Sequence, residues 1–286
     1  MEELHETNGE NLFNRGKVRD IYEMDDGEHL IIITTDRTSA FDQVFPNPVP
    51  GKGVFLNRLS NFWFDFLDVR DHRVSMSEVP EKELDDFLGM EEEVQDRMMV
   101  VKKAEPFPVE VVLRAYLVGS GWKEYEQSGT VCGHPLPKGL AEGDFIPDGP
   151  ILTPAKKAQD GEHDENISPK EAAEIVGAPW EVVVDMAFDI FNRAAKHVFA
   201  KGLIIVDTKF EFGMINGEVA LIDEVLTPDS SRYWSGNMKE QYDKQYIRDW
   251  LVGTGWKDGE DMPDIPDDVV EELQSRYKRL VAILTR

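Results

Sequence analysis

The fold of this chain is decided by one stretch, Leu203-Ile204-Ile205-Val206-Asp207-Thr208-Lys209-Phe210-Glu211-Phe212-Gly213, in which an apolar run begins to carry charge at alternate positions. Side chains alternate faces along a strand, so Asp207, Lys209 and Glu211 are expected to share one face. The residues between these charges are expected to face apolar packing: Val206, Thr208, Phe210 and Phe212. In isolation the three charges favour a half-exposed strand with a satisfied ion pair. Other segments of the chain favour a site that binds a metal ion and an anionic substrate.

Length and composition indicate a globular protein. The 286 residues, 41% of them hydrophobic and 10% aromatic, are enough for a substantial core in one large domain or two lobes. No apolar run approaches the length of a membrane span, and residues 1–6 do not resemble a signal peptide. The one cysteine, Cys132, excludes an internal disulfide and fits a reducing cytoplasm, which is the expected location.

The net charge of −25 argues against nucleic acid and membranes as partners, because their phosphates would be repelled. A solvated acidic surface is the simplest explanation of this charge. The positions of the basic residues are therefore informative. Several lie in segments that contain glycine or proline, where they favour a small anionic ligand: Lys17, Arg19, Lys52, Arg114, Lys156, Lys157, Lys209 and Arg232.

Residues 1–104 are expected to form a β-rich lobe and residues 105–286 a mixed α/β lobe. In the first part, β-like runs at 17–23 and 29–35 flank a turn at 25–27, which predicts a hairpin. A helical pattern follows at 56–67, then another strand at 98–103. The connector between the lobes is expected at 104–108.

The second part contains three predicted helices. Ser168-Pro169-Lys170-Glu171 is a capping box with proline at the first helical position, and Gly177 is a natural stop. Residues 180–201 carry apolar side chains at helical spacing and end at Gly202. Residues 267–284 have acid in the first turn and bases toward the end, as the helix dipole favours.

Two polar segments near the N-terminus are candidate binding loops. Gly16-Lys17-Val18-Arg19-Asp20 places a glycine beside alternating bases, which suits nucleotide phosphates. An ordinary turn explains it as well, and it matches neither the Walker A nor the dinucleotide pattern. Asp36-Arg37-Thr38-Ser39-Ala40-Phe41-Asp42 follows an apolar strand and is typical of a binding loop. A helix N-cap at Thr38 or Ser39 is the alternative.

Two later segments also suit an anionic substrate. A strand at 108–114 delivers Arg114 near Gly119-Ser120-Gly121, and an arginine fork with a hydroxyl makes a sound phosphate site. A structural arginine is an equal alternative. Residues 152–166 form a long polar segment that is expected to bind substrate. His163 lies in it, but no second histidine or cysteine at ligand spacing supports a zinc site.

The opening strand is expected to return through a hairpin to Asp223. A two-residue loop at Asn216-Gly217 would place Glu211 and Asp223 on opposite faces, whereas a three-residue loop with a bulge pairs Met214 with Glu218 and joins them on one face. We predict the three-residue loop. Two carboxylates on adjacent strands suit Mg²⁺, which completes its octahedron with phosphates and water.

In this order, these segments resemble the SAICAR synthetase (phosphoribosylaminoimidazole-succinocarboxamide synthase) family over nearly the whole length. The matching motifs are Gly16–Asp20, Thr35–Asp42, Pro108–Arg114 with Gly119-Ser120, Gly161–Asn166, Asp207–Gly213 and Asp223-Glu224 through Arg232. The resemblance implies an α+β or α/β fold with two lobes and a nucleotide cleft related to those of kinases and ATP-grasp enzymes. It implies ligation of L-aspartate to carboxyaminoimidazole ribonucleotide, with ATP and Mg²⁺, in purine biosynthesis.

The same resemblance implies residue roles. Lys17 and Arg19 would hold ATP phosphates, and Glu211 and Asp223 would bind Mg²⁺. The remaining expectations cover four groups: Lys102, Ala104 and Glu105 at adenine; Arg114, Ser120 and Arg232 at the ribonucleotide phosphate; Lys209 and Asp207 at its imidazole end as catalytic residues; Asp36, Ser39, Lys156 and His163 at L-aspartate. Arg19 departs from the lysine of some members, which keeps the charge but changes donor geometry.

Two other functions remain open at this point. A small-molecule kinase using the same ATP–Mg cleft would transfer phosphate without needing aspartate. A non-catalytic nucleotide-binding protein would bind ATP without turnover. The chain is expected to be a monomer or a small homo-oligomer.

Overall fold

The computed structural model describes residues 3–79, 92–157 and 164–286, and has a mixed α+β architecture. The strands are β1 Leu12–Arg15, β2 Arg19–Glu23, β3 His29–Thr34, β4 Ser39–Ala40, β5 Gln43–Val44, β6 Met98–Lys102, β7 Glu105–Pro106, β8 Val109–Arg114, β9 Thr130–Val131, β10 His134–Pro135, β11 Ile151–Leu152, β12 Ala155–Lys156, β13 Glu165–Asn166, β14 Leu203–Ile215, β15 Glu218–Ile222 and β16 Ser231–Ser235. The helices are α1 Lys52–Leu67, α2 Glu92–Gln95, α3 Gly119–Ser128, α4 Pro169–Val176, α5 Trp180–Ala200, α6 Gln245–Gly253 and α7 Asp267–Leu284, with a 3₁₀ turn at Met76–Glu78. Among the described residues no helix has the length and apolar character needed to cross a bilayer.

The first sheet has the antiparallel order β1-β2-β3-β6. Its β2–β3 hairpin turns at 25–27, as the sequence predicts, and pairs Arg19 with Thr34 and Glu23 with Leu30. Ile31 and Ile33 are fully buried on one face of β3, as alternation along a half-covered strand requires. This sheet therefore holds Arg19 on a rigid strand.

Helix α1 confirms the apolar pattern at 56–67 but begins four residues earlier, at Lys52. Gly51 precedes it with φ 76°, a left-handed conformation that glycine adopts at little cost. Leu59, Trp63 and Leu67 are fully buried along one face, in the core shared with α7. Because α1 packs on the C-terminal helix, it links the two halves of the chain.

The second sheet has eight strands and is centred on the thirteen-residue strand β14. Its partners are β8, β15, β16 and the short β7, all antiparallel. Phe210 and Phe212 are buried against α5 and the rest of the main core, while Lys209 and Glu211 lie half-buried between them. The alternation expected along β14 is confirmed for these four residues. Thr208, also expected in apolar packing, instead bonds through its hydroxyl to Ser231 at 2.7 Å.

The three predicted helices of the second part are present. The Ser168–Glu171 capping box is formed in both directions, with the Ser168 hydroxyl accepting from the Glu171 amide and the Glu171 carboxylate accepting from the Ser168 amide. Helix α5 ends at Ala200, one residue before the predicted end, and Gly202 follows with φ 79°. Helix α7 covers the predicted range.

The sheets divide near the predicted lobe boundary. The first four-stranded sheet ends at Lys102, and every strand of the eight-stranded sheet begins at Glu105 or later. Helix α1 belongs to the first segment by sequence but packs in the core of the second. The division at residues 104 and 105 therefore stays a prediction.

The loop of the β14–β15 hairpin is shorter than predicted. Ile215 pairs with Glu218, so Asn216 and Gly217 alone form the turn, with φ values of 54° and 79°. Two left-handed residues match the right-handed twist of the strands. The prediction of a three-residue loop is therefore wrong. In this register, regular pairing would place the side chains of Glu211 and Asp223 on opposite faces of the sheet.

Candidate active site

A cavity of about 210 Å³ lies where β8, β14 and β16 meet the loop at 228–231 and the start of α6. Its basic lining residues are Arg114, Lys209, Arg232, Lys244 and Arg248. Its acidic lining residues are Asp207, Asp229 and Asp243. In a chain with a net charge of −25, a cavity with more basic than acidic side chains is suited to an anionic ligand.

Asp207 holds two arginines at one end of this cavity. Its Oδ2 atom accepts from Arg114 at 2.6 Å and from Arg232 at 2.5 Å. Burial alone would raise the pKa of Asp207, but the charges of Arg232 and Arg114 outweigh it and leave the pKa below its usual value. Asp207 is therefore ionised at neutral pH and positions both guanidinium groups.

Arg114, Ser120 and Arg232 are brought together, as the sequence predicts. Arg114 donates from Nε to the Thr153 hydroxyl and from Nη2 to the Ser120 hydroxyl, both at 2.9 Å. Gly119 precedes Ser120 with φ 57°, and a Cβ atom there would lie 2.7 Å from Nη2 of Arg232. The left-handed backbone at this position is one that glycine adopts at little cost, and it brings the start of α3 close to Arg232.

Lys209 lies next along β14, between two carboxylates. Its Nζ atom donates to Glu110 on β8 and to Glu211, both at 2.7 Å. Burial would lower the pKa of Lys209, but Glu211 and Glu110 raise it well above the ordinary value. Lys209 is therefore a permanent cation at neutral pH and is suited to stabilising negative charge.

Asp223 lies within electrostatic reach of Glu211 despite the short hairpin loop, because Glu211 pairs with Ile222, the residue before Asp223. Strand β15 ends at Ile222, and Asp223 has φ 64°, so its side chain leaves the face that regular pairing would give it. Burial raises the pKa of Asp223 and the charge of Glu211 raises it further, whereas Lys209 and Lys157 hold the pKa of Glu211 below its usual value. The two carboxylates therefore share one electrostatic environment.

Arg19 joins the first sheet to these carboxylates. It contacts Asp223 at 2.7 Å and Glu224 at 2.6 Å. All three residues also line a small cavity beside Thr34 and Met99 of the first sheet. Arg19 therefore ties the carboxylates that follow β15 to the first sheet.

Glu211 and Asp223 fit a magnesium site of the kind in which phosphates supply other ligands. Both offer hard carboxylate oxygens, which Mg²⁺ prefers, and it is bound by one or two protein carboxylates at phosphate sites. Within the described ranges no group of three or more His, Cys, Asp or Glu side chains is arranged to hold a metal. A metal held by protein groups alone is thus not supported there.

The remaining ATP candidates lie just before β2, at the end of β6 and at the start of β7. Lys17 is half-exposed and pairs with Asp42. The Lys102 amide donates to the His72 carbonyl at 2.7 Å, and Ala104 follows in the connector. Glu105 begins β7 and pairs with β14 beside Gly213, where a Cβ atom would lie 2.7 Å from the Glu105 carbonyl oxygen. The connector therefore lies two residues along β14 from Glu211.

The three L-aspartate candidates that the structure describes, Asp36, Ser39 and Lys156, do not line one cavity together. Asp36 is fully buried, where its carboxylate accepts from Arg97, Gly53 and Leu4. Both carboxylate oxygens of Asp36 are already hydrogen-bonded within the fold, so Asp36 has a structural role. Lys156 is exposed on β12, away from the cavity lining, and His163 lies outside the described residues. Ser39 accepts from Lys244 at 3.4 Å and lies beside the cavity. The N-cap alternative for Ser39 is wrong, because this residue is in β4.

Sequence reasoning missed the part of the cavity wall that is formed by Asp229 and the start of α6. Asp229 is buried there and accepts from Lys52 at 2.7 Å and Lys244 at 3.1 Å. Lys244 precedes the first residue of α6, and Arg248 lies one turn further on. The available signal was two bases four residues apart at a helix start in a strongly acidic chain.

Comparison with known proteins gives concordant results. The family model described as SAICAR synthetase matches residues 12–263. The phosphoribosylaminoimidazole-succinocarboxamide synthase of Desulfosudis oleivorans is 46% identical over 287 residues, which covers 96% of each chain. The protein of the same name from Syntrophobacter fumaroxidans is 47% identical over 94% of this chain and 91% of its own.

Solved structures agree. The SAICAR synthase from Saccharomyces cerevisiae, complexed with SAICAR, superposes with a TM-score of 0.86 at 40% identity over 99% of this chain and 98% of its own. A SAICAR synthetase in complex with ADP has a TM-score of 0.69 at 25% identity over 95% and 97% of the two chains. The similarity thus covers both halves of the fold.

Proposed function

We propose residue roles for this chain from one premise: it belongs to the SAICAR synthetase family. It is a ligase that forms a C–N bond, using ATP to attach L-aspartate in purine biosynthesis, and it binds a nucleotide. The acceptor we propose is the carboxylate of carboxyaminoimidazole ribonucleotide. The small-molecule kinase and the non-catalytic nucleotide-binding protein have no support from the relatives.

The observation that supports these roles best is the position of three side chains on one strand. Strand β14 carries Asp207 at the arginine end of the cavity, Lys209 in its lining and Glu211 opposite Ile222, the residue before Asp223. A rigid strand therefore fixes the spacing between an anion-binding end and a metal-binding end. Such fixed spacing is what phosphoryl transfer requires, because its catalysis is mainly positioning and charge stabilisation.

The reaction proceeds in two steps. A carboxylate is a poor acyl donor, so one of its oxygens first attacks the γ-phosphorus of ATP and ADP leaves. The product is an acyl phosphate. The amine of L-aspartate then attacks the acyl carbon, phosphate leaves, and the nitrogen loses a proton to give the amide.

Arg114, Ser120 and Arg232 bind the phosphate of the ribonucleotide. Asp207 holds the two arginines at 2.6 and 2.5 Å, so their donors are oriented before substrate arrives. The sequence predicts Asp207 as a catalytic residue at the imidazole end of the substrate, but its carboxylate accepts from both of these arginines, so the role we propose for it is to position them.

Lys209 offsets the negative charge that develops on the transferring phosphoryl group. Its raised pKa excludes a role as a base at neutral pH, because the ammonium does not release its proton there. Glu211 and Asp223 would hold Mg²⁺, which neutralises charge on the ATP phosphates when bound. Lys17 and Arg19 bind ATP phosphates, and the backbone at Lys102, Ala104 and Glu105 faces adenine.

The proposed location is the cytoplasm, and the proposed assembly is a monomer or a small homo-oligomer. Neither nucleic acid nor a membrane is a proposed partner, because the net charge of −25 repels both.

The deciding experiment measures ADP release from ATP with carboxyaminoimidazole ribonucleotide, with and without L-aspartate. The proposal expects multiple turnover only when aspartate is present. Release that is indifferent to aspartate would instead identify a kinase. No release under either condition, with ATP still bound, would identify a non-catalytic nucleotide-binding protein.

A further inference from the structure

Arg37 is buried beside the segment to which the ATP phosphates are assigned above, yet none of the assigned roles uses it. Only 4% of its surface is exposed. Its Nε atom donates to the Lys17 carbonyl at 3.1 Å, and its Nη2 atom donates to the Gly16 carbonyl at 3.0 Å. One guanidinium group therefore binds two successive carbonyls of residues 16–18, which we call the phosphate loop.

Thr35, two residues before Arg37, binds the third carbonyl of the phosphate loop. The Val18 carbonyl accepts from both the amide and the hydroxyl of Thr35, each at 2.9 Å. The carbonyl and the N–H of a trans peptide unit point in opposite directions, so the Lys17 and Val18 amides point away from Arg37. Two successive amides beside a lysine side chain are suited to a phosphate group.

Further contacts fix the Arg37 guanidinium group itself. Its Nη2 atom also donates to Asp20 at 2.7 Å, and its Nη1 atom donates to the His5 carbonyl at 2.6 Å. Burial alone would raise the pKa of Asp20, but hydrogen bonds from Arg37 and Thr7 leave it below its usual value. Asp20 is therefore ionised at neutral pH, and this buried ion pair keeps the guanidinium group against the loop.

The main chain of Arg37 is tied to the ribonucleotide cavity. Its carbonyl accepts from Nζ of Lys52 at 3.0 Å, and Lys52 donates to Asp229 in the cavity wall at 2.7 Å. Lys52 is fully buried. Arg37 therefore lies between the phosphate loop, which its side chain holds, and the cavity wall, which its backbone contacts through Lys52.

We propose that Arg37 is a positioning residue that fixes the phosphate loop relative to the ribonucleotide cavity. Phosphoryl transfer requires the γ-phosphorus of ATP and the attacking carboxylate to be in line, so a loop fixed in this way favours the reaction. Arg37 acts through the loop and contacts neither substrate. This inference rests on the proposed function, in which Lys17 binds an ATP phosphate.

The test uses the full-length enzyme with Arg37→Lys. An ammonium group keeps the positive charge beside Asp20, but it cannot hold two carbonyls from separate nitrogens in a fixed plane. KM for ATP is expected to rise about tenfold and kcat to fall about tenfold, while KM for the ribonucleotide changes less than about twofold. The Tm of each variant is measured alongside, because a purely structural arginine would change that quantity alone.

Limited proteolysis with trypsin gives a readout that does not depend on turnover. Lys17 is half-exposed in the phosphate loop, and a loop that opens more often is cleaved faster. In Arg37→Lys without substrates, cleavage after Lys17 is expected to accelerate at least about fivefold. Cleavage after Lys239, which is exposed in the turn that follows β16, is the internal reference and is expected to stay unchanged.

Arg97→Lys is the matched control, because Arg97 is also a buried arginine but pairs with the carboxylate of Asp36. It is expected to lower Tm without changing KM for ATP or cleavage after Lys17. Thr35→Val removes the hydroxyl that binds the Val18 carbonyl and keeps the shape of the side chain. It is expected to raise KM for ATP about 3- to 10-fold, and it decides the question if Arg37→Lys does not fold.

Three results would overturn the inference. A lower Tm of Arg37→Lys with unchanged constants for ATP and unchanged cleavage after Lys17 would make Arg37 purely structural. Equal rises in KM for ATP and for the ribonucleotide would show an effect on the whole site and not on the loop. An unchanged KM for ATP in Thr35→Val would show that holding the loop carbonyls has no effect on ATP. Failure of the proposed function is a separate observation, because it appears as aspartate-independent ADP release in the unmodified enzyme.

Discussion

Arg19 donates to Asp223 at 2.7 Å although 204 residues separate them in sequence. Arg19 lies on a strand of the first sheet, and Asp223 follows the last residue of β15 in the second. The same guanidinium group contacts Glu224 at 2.6 Å. One arginine of the first sheet therefore holds two adjacent carboxylates of the second. One of them, Asp223, is a proposed metal ligand.

We expect Arg19→Lys to retain more activity than Arg19→Met. An ammonium keeps the charge but lacks the planar fork that contacts both carboxylates, so kcat is expected to fall about tenfold. Arg19→Met leaves Asp223 and Glu224 repelling each other, and a loss of about 100-fold or more is expected. Steady-state ADP release measures both. Equal activity of the two variants would show that the charge of Arg19 is not used.

Glu211→Gln and Asp223→Asn keep the shape of each side chain but remove a charged oxygen ligand. Because Mg²⁺ prefers carboxylates, kcat is expected to fall at least about 100-fold and the Mg²⁺ concentration for half-maximal rate to rise. Magnesium titrations of ADP release measure both quantities. Glu218→Gln is the control, since Glu218 lies in the same hairpin, is exposed and pairs only with Arg70 in the described structure. If kcat of both site variants stayed within about threefold of the parent value, Glu211 and Asp223 would not be ligands of the catalytic metal.

Arg114→Lys is expected to weaken binding of the ribonucleotide. Arg114 makes three contacts from three different nitrogens, to Thr153, Asp207 and Ser120, and a lysine can replace only part of them. We expect KM for the ribonucleotide to rise about 10- to 100-fold with a smaller change in kcat. Arg193→Lys is the control, because in the described structure Arg193 is exposed and pairs with Asp189 on its own helix and with the Phe66 carbonyl of α1. If kcat alone fell, Arg114 would act on the chemical step.

Asp36→Ala is expected to destabilise the fold. Removing this carboxylate leaves the buried Arg97 guanidinium uncompensated, which typically costs about 3–5 kcal/mol of unfolding free energy. Asp189→Ala removes an exposed i,i+4 pair and is expected to cost only about 0.3–0.5 kcal/mol. Urea denaturation of the two variants measures both losses of unfolding free energy. If Asp36→Ala raised KM for L-aspartate and left the free energy of unfolding unchanged, Asp36 would be a substrate-binding residue and not a structural one.

The helices could be predicted from sequence because their signals are local. The Ser168–Glu171 capping box and the charge order of 267–284 act within one or two turns, and α4 and α7 have the expected bounds. The alternation along β14 is equally local, so the faces of Lys209, Phe210 and Glu211 followed from the period of a strand.

The hairpin loop and the aspartate candidates could not be predicted in this way. Asn216-Gly217 is compatible with either loop length, and aspartate tolerates the left-handed backbone that turns Asp223, so no residue signals it. Asp36 is in a polar segment typical of a binding loop, but its partner Arg97 is 61 residues away. Lys244 and Arg248 reach the cavity only because α6 packs beside β16, which is again a tertiary contact.

The titration of Lys244 gives the last prediction. Burial lowers the pKa of Lys244 to about 8, with Lys52 and Arg248 lowering it and Asp229 and Glu224 raising it. Lys244 is therefore mostly charged at pH 7 and mostly neutral at pH 9.

Lys244 lines the cavity proposed for the anionic ribonucleotide, so its protonated form is expected to bind that substrate more tightly, and binding is lost as pH rises through the pKa of Lys244. KM for the ribonucleotide is thus expected to rise by up to about tenfold per pH unit above pH 8. Arginine stays charged over this range, so the Lys244→Arg variant should show a flat profile. Both profiles are measured between pH 6.5 and 9.5, taking about 0.5 unit per step, which resolves a single proton. The same slope in Lys244→Arg as in the parent would show that another group titrates.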